Sequence, residues 1–309
     1  MSFRGFNFAP AEGIISGSGG PLTTIVKKGD PAPSGTFTFF DDGMAVSEGA
    51  TAFRANYTGG QGVFLGSGGA LTTIAKKGDS APSGTFTEFG SAVGVGGGTV
   101  LFNGFYPGGH AVLTGNGGPL TTIVKSGDAA PIGTFDSVSA GGWSGGAFVF
   151  SAYYNVSSRF GIFTSSSGVV TPVIQVGDPA PAGTFLTFGD VAIAGDTVAF
   201  SGDYAGGRGI FVKRGGVLTP VVKPGDQLFG DTVAQVSFNR LGLDADGSGR
   251  IAFWYRLSNS QEGIAIAVPE ASGLCLCAMA AGALGVCGRR RVPLDLESRE
   301  ADVIAARPG

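Results

Sequence analysis

A sixteen-residue stretch that recurs along the chain limits its possible folds more than any other feature. It reads LTTIVKKGDPAPSGTF at 22–37 and returns at 71–86, 120–135 and 170–185, before it decays to LTPVVKPGDQLFGDT at 218–232. Its Gly-Asp step recurs at intervals of 49, 49, 50 and 48 residues. The aspartates of this step are Asp30, Asp79, Asp128, Asp178 and Asp226. A period this steady is typical of a repeat architecture.

The composition fits short strands joined by tight turns. The 309 residues include 57 glycines, which alternate with runs of Val, Ile, Phe and Thr that disordered chains lack. Glycine supplies the positive φ that such turns require.

The net charge is -3 and the basic residues are scattered, so we expect no nucleic-acid partner. The three cysteines, Cys275, Cys277 and Cys287, lie near the end, which excludes a disulfide framework within the repeats.

One copy, from Gly35 to Asp79, reads as four short strands. Strand-forming residues occupy 36–40, 50–57, 62–65 and 71–77, and turn residues separate them, including a turn at 41–43. Four antiparallel strands per unit, at a period just above the roughly 40–45 residues of a propeller blade, predict an all-β β-propeller. The GDxAPxGTF segment is expected to connect one blade to the next rather than to form a strand. Its prolines have no backbone N–H and cannot donate the hydrogen bonds of a strand interior. A β-solenoid is the alternative.

A phenylalanine at one strand position gives an independent count of the units. It stands at Phe3, Phe53, Phe102, Phe150, Phe200 and Phe253. Six units are therefore expected, with a truncated first unit and a sixth that lacks an LTTI strand. Six blades are favoured; five would result if the last three strands joined the segment 22–28. A start codon placed too far downstream would explain both the truncated unit and the missing signal peptide.

The C-terminal region reads as a membrane anchor. Residues 271–288 carry no charge and are just long enough to span a bilayer as a helix. The arginines Arg289, Arg290 and Arg291 follow at once, which predicts that the repeats lie outside the cytoplasm. The chain then divides into a repeat domain (1–267), a sorting and anchor segment (268–291), and a cytoplasmic tail (292–309) expected to be disordered.

This tail resembles the PEP-CTERM sorting signal of exported bacterial proteins. The resemblance rests on Val268, Pro269 and Glu270, on the apolar span, and on the arginine cluster. It departs from the pattern at Ala271, where a second proline is usual, and in the eighteen residues that follow the arginines. The resemblance implies processing by an exosortase-type enzyme and a place at the membrane or cell surface of a Gram-negative-type bacterium. Extracellular polysaccharide or surface proteins are the partners that it suggests.

The repeats are also similar to a tandem-repeat family that such anchors often carry. The pattern is near NxxGxxAFxAxY, followed by GVF and a GDxAP turn. Here it appears at 195–204 as GDTVAFSGDY, followed by GIF at 209–211. The resemblance covers nearly all of residues 3–267, and it implies architecture and location without a chemical activity.

Few residues offer chemistry. The only histidine, His110, lies in a turn with no GxSxG nucleophile motif, and its counterparts are read as Gln61, Arg208 and Arg159.

The repeated aspartates would either cap their own turns, which is favoured, or line one end of the ring as calcium ligands or paired acids. Asp244 and Asp246 imitate the start of a calcium loop, but Tyr255 stands where that loop needs glutamate.

A set of tyrosines recurs at one strand end. Tyr57, Tyr106, Tyr154 and Tyr204 either pack beside the following turn or stack on sugars. The sequence thus predicts an exported, membrane-anchored propeller that acts as a surface binding or structural module, without catalytic residues, metal or cofactor. The alternative is a polysaccharide-acting propeller enzyme that uses the loop carboxylates. Convergence of carboxylates in one cleft would distinguish the two.

Overall fold

The computed structural model describes residues 2–6, 12–17, 20–155, 159–239, 242–243, 249–270, 273–279 and 287–289. Within these ranges the chain is all-β. The described residues form six antiparallel sheets, four of which contain four strands, and no α-helix. The sheets follow one another in chain order, as the repeat predicts.

Sheet 1 consists of β1 (Ser2–Phe6), β2 (Glu12–Ser16) and β3 (Thr23–Lys27). Sheet 2 consists of β4 (Phe37–Ser47), β5 (Ala50–Tyr57), β6 (Gly60–Gly66) and β7 (Thr72–Lys76). Sheet 3 consists of β8 (Glu88–Gly96), β9 (Thr99–Tyr106), β10 (Gly109–Gly115) and β11 (Thr121–Lys125).

Sheet 4 consists of β12 (Phe135–Ser144), β13 (Ala147–Tyr154), β14 (Arg159–Ser166) and β15 (Val169–Gln175). Sheet 5 consists of β16 (Phe185–Ala194), β17 (Thr197–Tyr204), β18 (Gly207–Arg214) and β19 (Val217–Val222). Sheet 6 consists of β20 (Gln227–Leu228), β21 (Asp231–Ser237), β22 (Ile251–Leu257), β23 (Glu262–Glu270), β24 (Gly273–Met279) and β25 (Cys287–Arg289).

The second strands of sheets 2 to 5 are buried on both faces. In β5, Ala52 and Phe53 point to opposite faces of sheet 2, and neither side chain is exposed. Burial on both faces requires a sheet that is covered by a neighbour on each side. This explains why these strands read as continuous apolar runs rather than as a polar and apolar alternation.

Phenylalanines fill the space between consecutive sheets. Phe37, Phe40, Phe53 and Phe64 form one such cluster, with ring centroids 5.0 to 6.5 Å apart, and Ile14 and Val26 of sheet 1 pack against it. The equivalent set joins sheets 4 and 5. Complete burial of one such ring stabilises the fold by about 1.5–3 kcal/mol. The sheets are therefore held together mainly by apolar contacts.

The repeated stretch forms the connection from one sheet to the next. After β7, Gly78 adopts φ +93° and its N–H donates to the Phe86 carbonyl, while the Phe86 N–H donates to the Asp79 carbonyl. Ala81 packs against the core between sheets 2 and 3, and Gly84 turns the chain back at φ +68°. The two glycines of GDxAPxGTF thus supply left-handed backbone, and its alanine and phenylalanine contact the core.

The first strands of successive sheets contact one another: β4 with β8, β8 with β12, and β12 with β16. A bulge between Phe40 and Met44 bends β4 at this contact. The turn predicted at 41–43 is therefore wrong, because these residues lie within a continuous strand. A Cβ on Gly43 would lie only 1.7 Å from the Ser91 carbonyl oxygen, so only glycine permits this approach.

The two ends of the array differ from the complete sheets. Sheet 1 contains the counterparts of the second, third and fourth strands of a unit. In sheet 6, β24 pairs with β23 at the place where an LTTI strand would lie. Strand β23 itself runs across the expected boundary between residues 267 and 268.

The segment read as a membrane helix is described only in part. Residues 273–279 and 287–289 are strands, and the rest of 271–288, like Arg290, Arg291 and the tail 292–309, lies outside the described residues. In the part of the chain that the structure describes, no helix is long and apolar enough to cross a membrane. The membrane helix and the disordered tail stay predictions.

Candidate functional site

The repeated aspartates each bind the turn in which they lie. In all five, one carboxylate oxygen accepts the backbone N–H of the residue three positions earlier, at 2.8 to 3.0 Å. The acceptors are Asp30, Asp79, Asp128, Asp178 and Asp226, and the donors are Lys27, Lys76, Lys125, Gln175 and Lys223. Each carboxylate therefore fixes the end of a fourth strand.

In three copies the second carboxylate oxygen pairs with the lysine ammonium of the same turn. Lys76 pairs with Asp79, Lys125 with Asp128, and Lys223 with Asp226. The hydrogen bond that each ammonium donates to its carboxylate raises the pKa of Lys76 and of Lys125. The carboxylates thus have local partners, and each stays with its own sheet.

The recurring tyrosines lie beside these pairs. Tyr57, Tyr106, Tyr154 and Tyr204 are all at least nine-tenths buried, and burial raises the pKa of each hydroxyl. The Tyr57 ring packs on the following turn, where a Cβ on Gly60 would lie 2.7 Å from the hydroxyl oxygen. In sheet 4 the pattern changes, because Gln175 replaces the lysine and accepts a hydrogen bond from Tyr154.

His110 bridges two sheets. Its Nε2 accepts the backbone N–H of Val138, the first-strand residue of sheet 4, at 3.1 Å. The proton therefore resides on Nδ1, which faces Ser126 Oγ at 3.4 Å. Burial lowers the pKa of His110, which favours this neutral form. In this tautomer Nδ1 has no lone pair with which to activate Ser126.

The strand register gives a different counterpart for His110 in sheet 4. His110 pairs across the hairpin with Phe105, and the matching pair in sheet 4 is Phe160 with Tyr153. Phe160, not Arg159, therefore occupies the equivalent place. Gln61 and Arg208 do occupy it in sheets 2 and 5.

The remaining candidate residues lie at the edge of what the structure covers. Asp244 and Asp246 lie outside the described residues, so the weak calcium candidate stays untested. Among the described residues, no group of three or more His, Cys, Asp or Glu side chains is placed to hold a metal ion. Val268, Pro269 and Glu270 end β23 and pair with Cys275, Leu274 and Gly273 of β24.

Comparison with known proteins places the chain in a family. The model of a family described as "Family of unknown function (DUF7453)" matches residues 1–141 and 108–263. The chain belongs to this family. The two overlapping matches reach from sheet 1 to the start of β23 in sheet 6, so they cover most of the repeat array.

No curated protein matches the chain. A solved structure from work on two prolyl endopeptidases is 12% identical, with a TM-score of 0.40, and the match covers 87% of this chain and 47% of that one. The DUF7453 chain thus spans about half the length of that enzyme. A protein of Bacteroides fragilis assigned as a 6-phosphogluconolactonase is 14% identical, with a TM-score of 0.36, and coverage of 84% and 73%. Likenesses this weak carry no argument about fold or function.

Sequence reasoning missed a second group of bridging side chains in the DUF7453 chain. Arg54 donates to the Phe89 carbonyl at 2.7 Å, and Asn103 bonds both the Val138 carbonyl and the Ala140 N–H. Both residues directly follow the second-strand phenylalanine, on the face toward the next sheet. In the sequence, the polar residue directly after Phe53 and after Phe102 is the signal that indicates these side chains.

A cavity of about 410 Å³ lies between the first crossing and the outer part of sheet 2. Its lining includes Asp30, Pro31, Phe64 and Leu71. The size falls within the range of small-molecule pockets, which is roughly 300–1,000 Å³. The charged group that lines it, Asp30, is the same carboxylate that fixes the crossing turn.

Proposed function

We propose that this DUF7453 chain is an exported, membrane-anchored β-propeller of six blades that serves as a surface binding or structural module. The observation that carries this proposal is the use of the repeated carboxylates: all five bind their own turns. An enzyme that used them would need at least two of them to converge on one substrate. The polysaccharide-acting enzyme is the second candidate, and these local bonds weigh against it.

The arrangement of the sheets supports the propeller over the solenoid. In a propeller the first strands line a common axis, and here the first strands of sheets 2 to 5 contact one another in succession. The pairing of β3 with β2 and of β23 with β24 favours six blades over five. A five-blade closure needs β3 to pair with β23 instead.

The proposed location rests on the tail. The residues 268–270, the uncharged span and the three arginines have the order of an exosortase-processed anchor. An anchored array of similar loops gains affinity by multivalent contact, even where each contact alone is weak. Extracellular polysaccharide and surface proteins are the partners that this arrangement suits.

Fractionation of a bacterium that expresses the full chain tests the location. We expect the repeats in the membrane fraction and open to protease added to intact spheroplasts, because the arginine cluster holds the other side of the span. Replacement of Arg289, Arg290 and Arg291 by glutamate should reduce this protease access. Protection of the repeats in spheroplasts with the native sequence would contradict the proposal.

Binding and turnover should be measured on the same preparation. The full chain in detergent is applied to an array of neutral and acidic glycans, and bound glycans are then incubated with it and assayed for new reducing ends. We expect retention without cleavage. Cleavage that Asp128→Asn abolishes would establish the enzyme instead, and an array without any retained glycan would remove the glycan-binding arm of the proposal.

A further inference from the structure

The chain contains two Asn-Gly steps, and the fold gives them opposite surroundings. Asn116-Gly117 lies in the hairpin between β10 and β11, whereas Asn103-Gly104 lies within β9. An asparagine amide followed by glycine is open to attack by the glycine backbone nitrogen, because glycine has no Cβ to obstruct the approach. The surroundings of the nitrogen and of the amide then decide whether the attack occurs at each step.

At the hairpin step the attacking nitrogen is not held by the fold. Residues 116–118 follow the last residue of β10 and are all exposed. Among the described residues, the Gly117 N–H has no hydrogen-bond partner. Loss of its proton therefore breaks no bond of the folded chain.

The amide of Asn116 is also polarised by its own turn. The Gly118 N–H donates to Asn116 Oδ1 at 3.2 Å. Attack at Cγ would place negative charge on this oxygen, and a hydrogen-bond donor that is already aimed at a developing oxyanion stabilises it. The turn thus favours the attack as well as leaving it unobstructed.

At the other Asn-Gly step the fold holds both reacting groups. Gly104 lies in β9 and pairs with β8 on one side and with β10 on the other, so its N–H belongs to a sheet ladder. The Asn103 side chain is buried, and it bonds the Val138 carbonyl and the Ala140 N–H of sheet 4. Reaction here would require sheets 3 and 4 to open.

Asn259 separates the two contributions. The Gln261 N–H donates to Asn259 Oδ1 at 2.9 Å, so this exposed amide is polarised as in the hairpin of sheet 3. The Ser260 N–H, however, donates to the Leu257 carbonyl at 3.0 Å, and serine adds a side chain beside the attacking nitrogen. A polarised amide with an engaged nucleophile should react slowly.

We infer that Asn116 is a site of spontaneous modification, at which the chain converts its own asparagine to aspartate and isoaspartate. The Gly117 nitrogen loses its proton and bonds to Cγ of Asn116, and the Cγ–Nδ2 bond breaks so that Nδ2 leaves as ammonia. Water then adds to either carbonyl of the resulting cyclic imide and opens it. The reaction consumes one water and releases one ammonia, and nothing is oxidised or reduced.

The modification would act on the contact between two sheets. The hairpin packs against β7 of sheet 2, because a Cβ on Gly117 would lie only 2.5 Å from Thr72 Cγ2. Both products add a negative charge at this turn. Isoaspartate also lengthens the backbone by one carbon directly before Gly117, so it changes the contact between sheets 2 and 3.

Timed peptide mapping of the folded full chain tests the site. The chain is kept at pH 8 in water enriched in heavy oxygen and is digested with chymotrypsin at intervals. Mass spectrometry with electron-transfer fragmentation then separates aspartate from isoaspartate. We expect Asn116 to convert at least ten-fold faster than Asn103 and Asn259, with heavy oxygen in both products. In urea Asn103 should approach the rate of Asn116, because unfolding frees the Gly104 nitrogen.

Asn116→Ser is the matched control, since the repeat itself offers this replacement. Ser67 holds the same place in sheet 2, and the two turns share a backbone, with φ +98° at Gly68 and +97° at Gly117. The variant should keep the urea midpoint of the native chain and take up no heavy oxygen in this hairpin peptide. Uptake there would overturn the inference.

Two further results would overturn it. The first is an Asn116 that converts no faster than Asn103 in the folded chain, which would show that the fold protects both steps. The second is a rate that does not rise at least ten-fold between pH 6 and pH 8, because the attacking nitrogen must first lose its proton.

Discussion

Side chains at one repeat position perform the same structural task with different chemical groups. Glu12, Gln61 and His110 each accept the backbone N–H of a first-strand residue in the following sheet. A carboxylate, an amide and a neutral imidazole are interchangeable here because each presents an acceptor at similar reach. The single histidine of the chain is thus one member of a structural series.

This equivalence predicts how His110 variants behave. His110→Gln should keep the bond to Val138 and change the free energy of unfolding by less than about 0.5 kcal/mol. His110→Ala should cost about 1–3 kcal/mol, because the Val138 N–H loses its acceptor. Urea unfolding at pH 8 measures both. Equal destabilisation by the two variants would show that the acceptor at this position is unimportant.

The same residue predicts a pH dependence. Burial lowers the pKa of His110 below its ordinary 6.5. As the pH falls, the unfolded chain takes up a proton on this histidine first, because its pKa is higher there than in the folded chain. The contribution of neutral His110 to stability is therefore present above the unfolded pKa and is lost as the pH falls through the folded pKa. The free energy of unfolding should therefore fall below about pH 6.5 in the native chain, and fall less in His110→Gln. Parallel pH profiles of the two proteins would contradict this assignment.

The turn aspartates yield a separate prediction. Asp128 accepts the Lys125 N–H at 2.9 Å and pairs with its half-exposed ammonium. Asp128→Asn keeps an acceptor and should cost less than about 1 kcal/mol, since exposed ion pairs contribute little. Asp128→Ala loses the acceptor and should cost about 1–2 kcal/mol in urea unfolding. An asparagine variant as unstable as the alanine variant would assign the main role to the charge.

At the scale of the strand, the sequence predicts regular features well and bulges poorly. The second, third and fourth strands of a unit follow from apolar runs between turn residues, and the GDxAPxGTF crossing follows from its glycines and prolines. Asp41, Asp42 and Gly43 resemble a turn locally, yet contact with the neighbouring first strand keeps them in β4. That contact joins distant parts of the chain and leaves no local signal.

Which residues face each other across two strands was unpredictable for a similar reason. Phe105 and His110 lie on two strands, and only the register reveals that they face each other. The misplaced counterpart of His110 in sheet 4 arose because the hairpin after Tyr154 is two residues longer than those after Tyr57 and Tyr106. Local chemistry, such as the turn-capping aspartate, is visible from spacing alone, whereas pairing across strands is not.

The contact between first strands gives a prediction for β4. Gly43→Ala would place a Cβ 1.7 Å from the Ser91 carbonyl oxygen, and neither backbone can yield without breaking the β4 to β8 contact. We expect a loss of about 3 kcal/mol or more in the free energy of unfolding. Gly69→Ala is the control, because a Cβ there meets nothing within 4 Å. Gly43→Ala with near-native stability would refute the close approach of the two strands.

At the scale of the whole molecule, one packing rule repeats along the chain. Each apolar cluster joins two consecutive sheets, from sheets 1 and 2 to sheets 5 and 6. In repeat proteins such nearest-neighbour contacts supply most of the stability. Apolar clusters between neighbours form in an open stack as well as in a closed ring. The distance between the first and last sheets therefore tests the propeller, which the contacts between first strands favour, against the solenoid.

That distance is the most direct test of the account. Spin labels are placed at Lys28, beside sheet 1, and at Gln261, on the β22 to β23 hairpin of sheet 6, with the native cysteines replaced by serine. Labels at Pro107 and Val176 report the distance between neighbouring sheets 3 and 4. If the chain is a closed six-blade propeller, pulsed electron–electron double resonance should give similar distances for both pairs of labels. A solenoid, with sheets about 10 Å apart, would place the first pair about 50 Å apart and contradict the account.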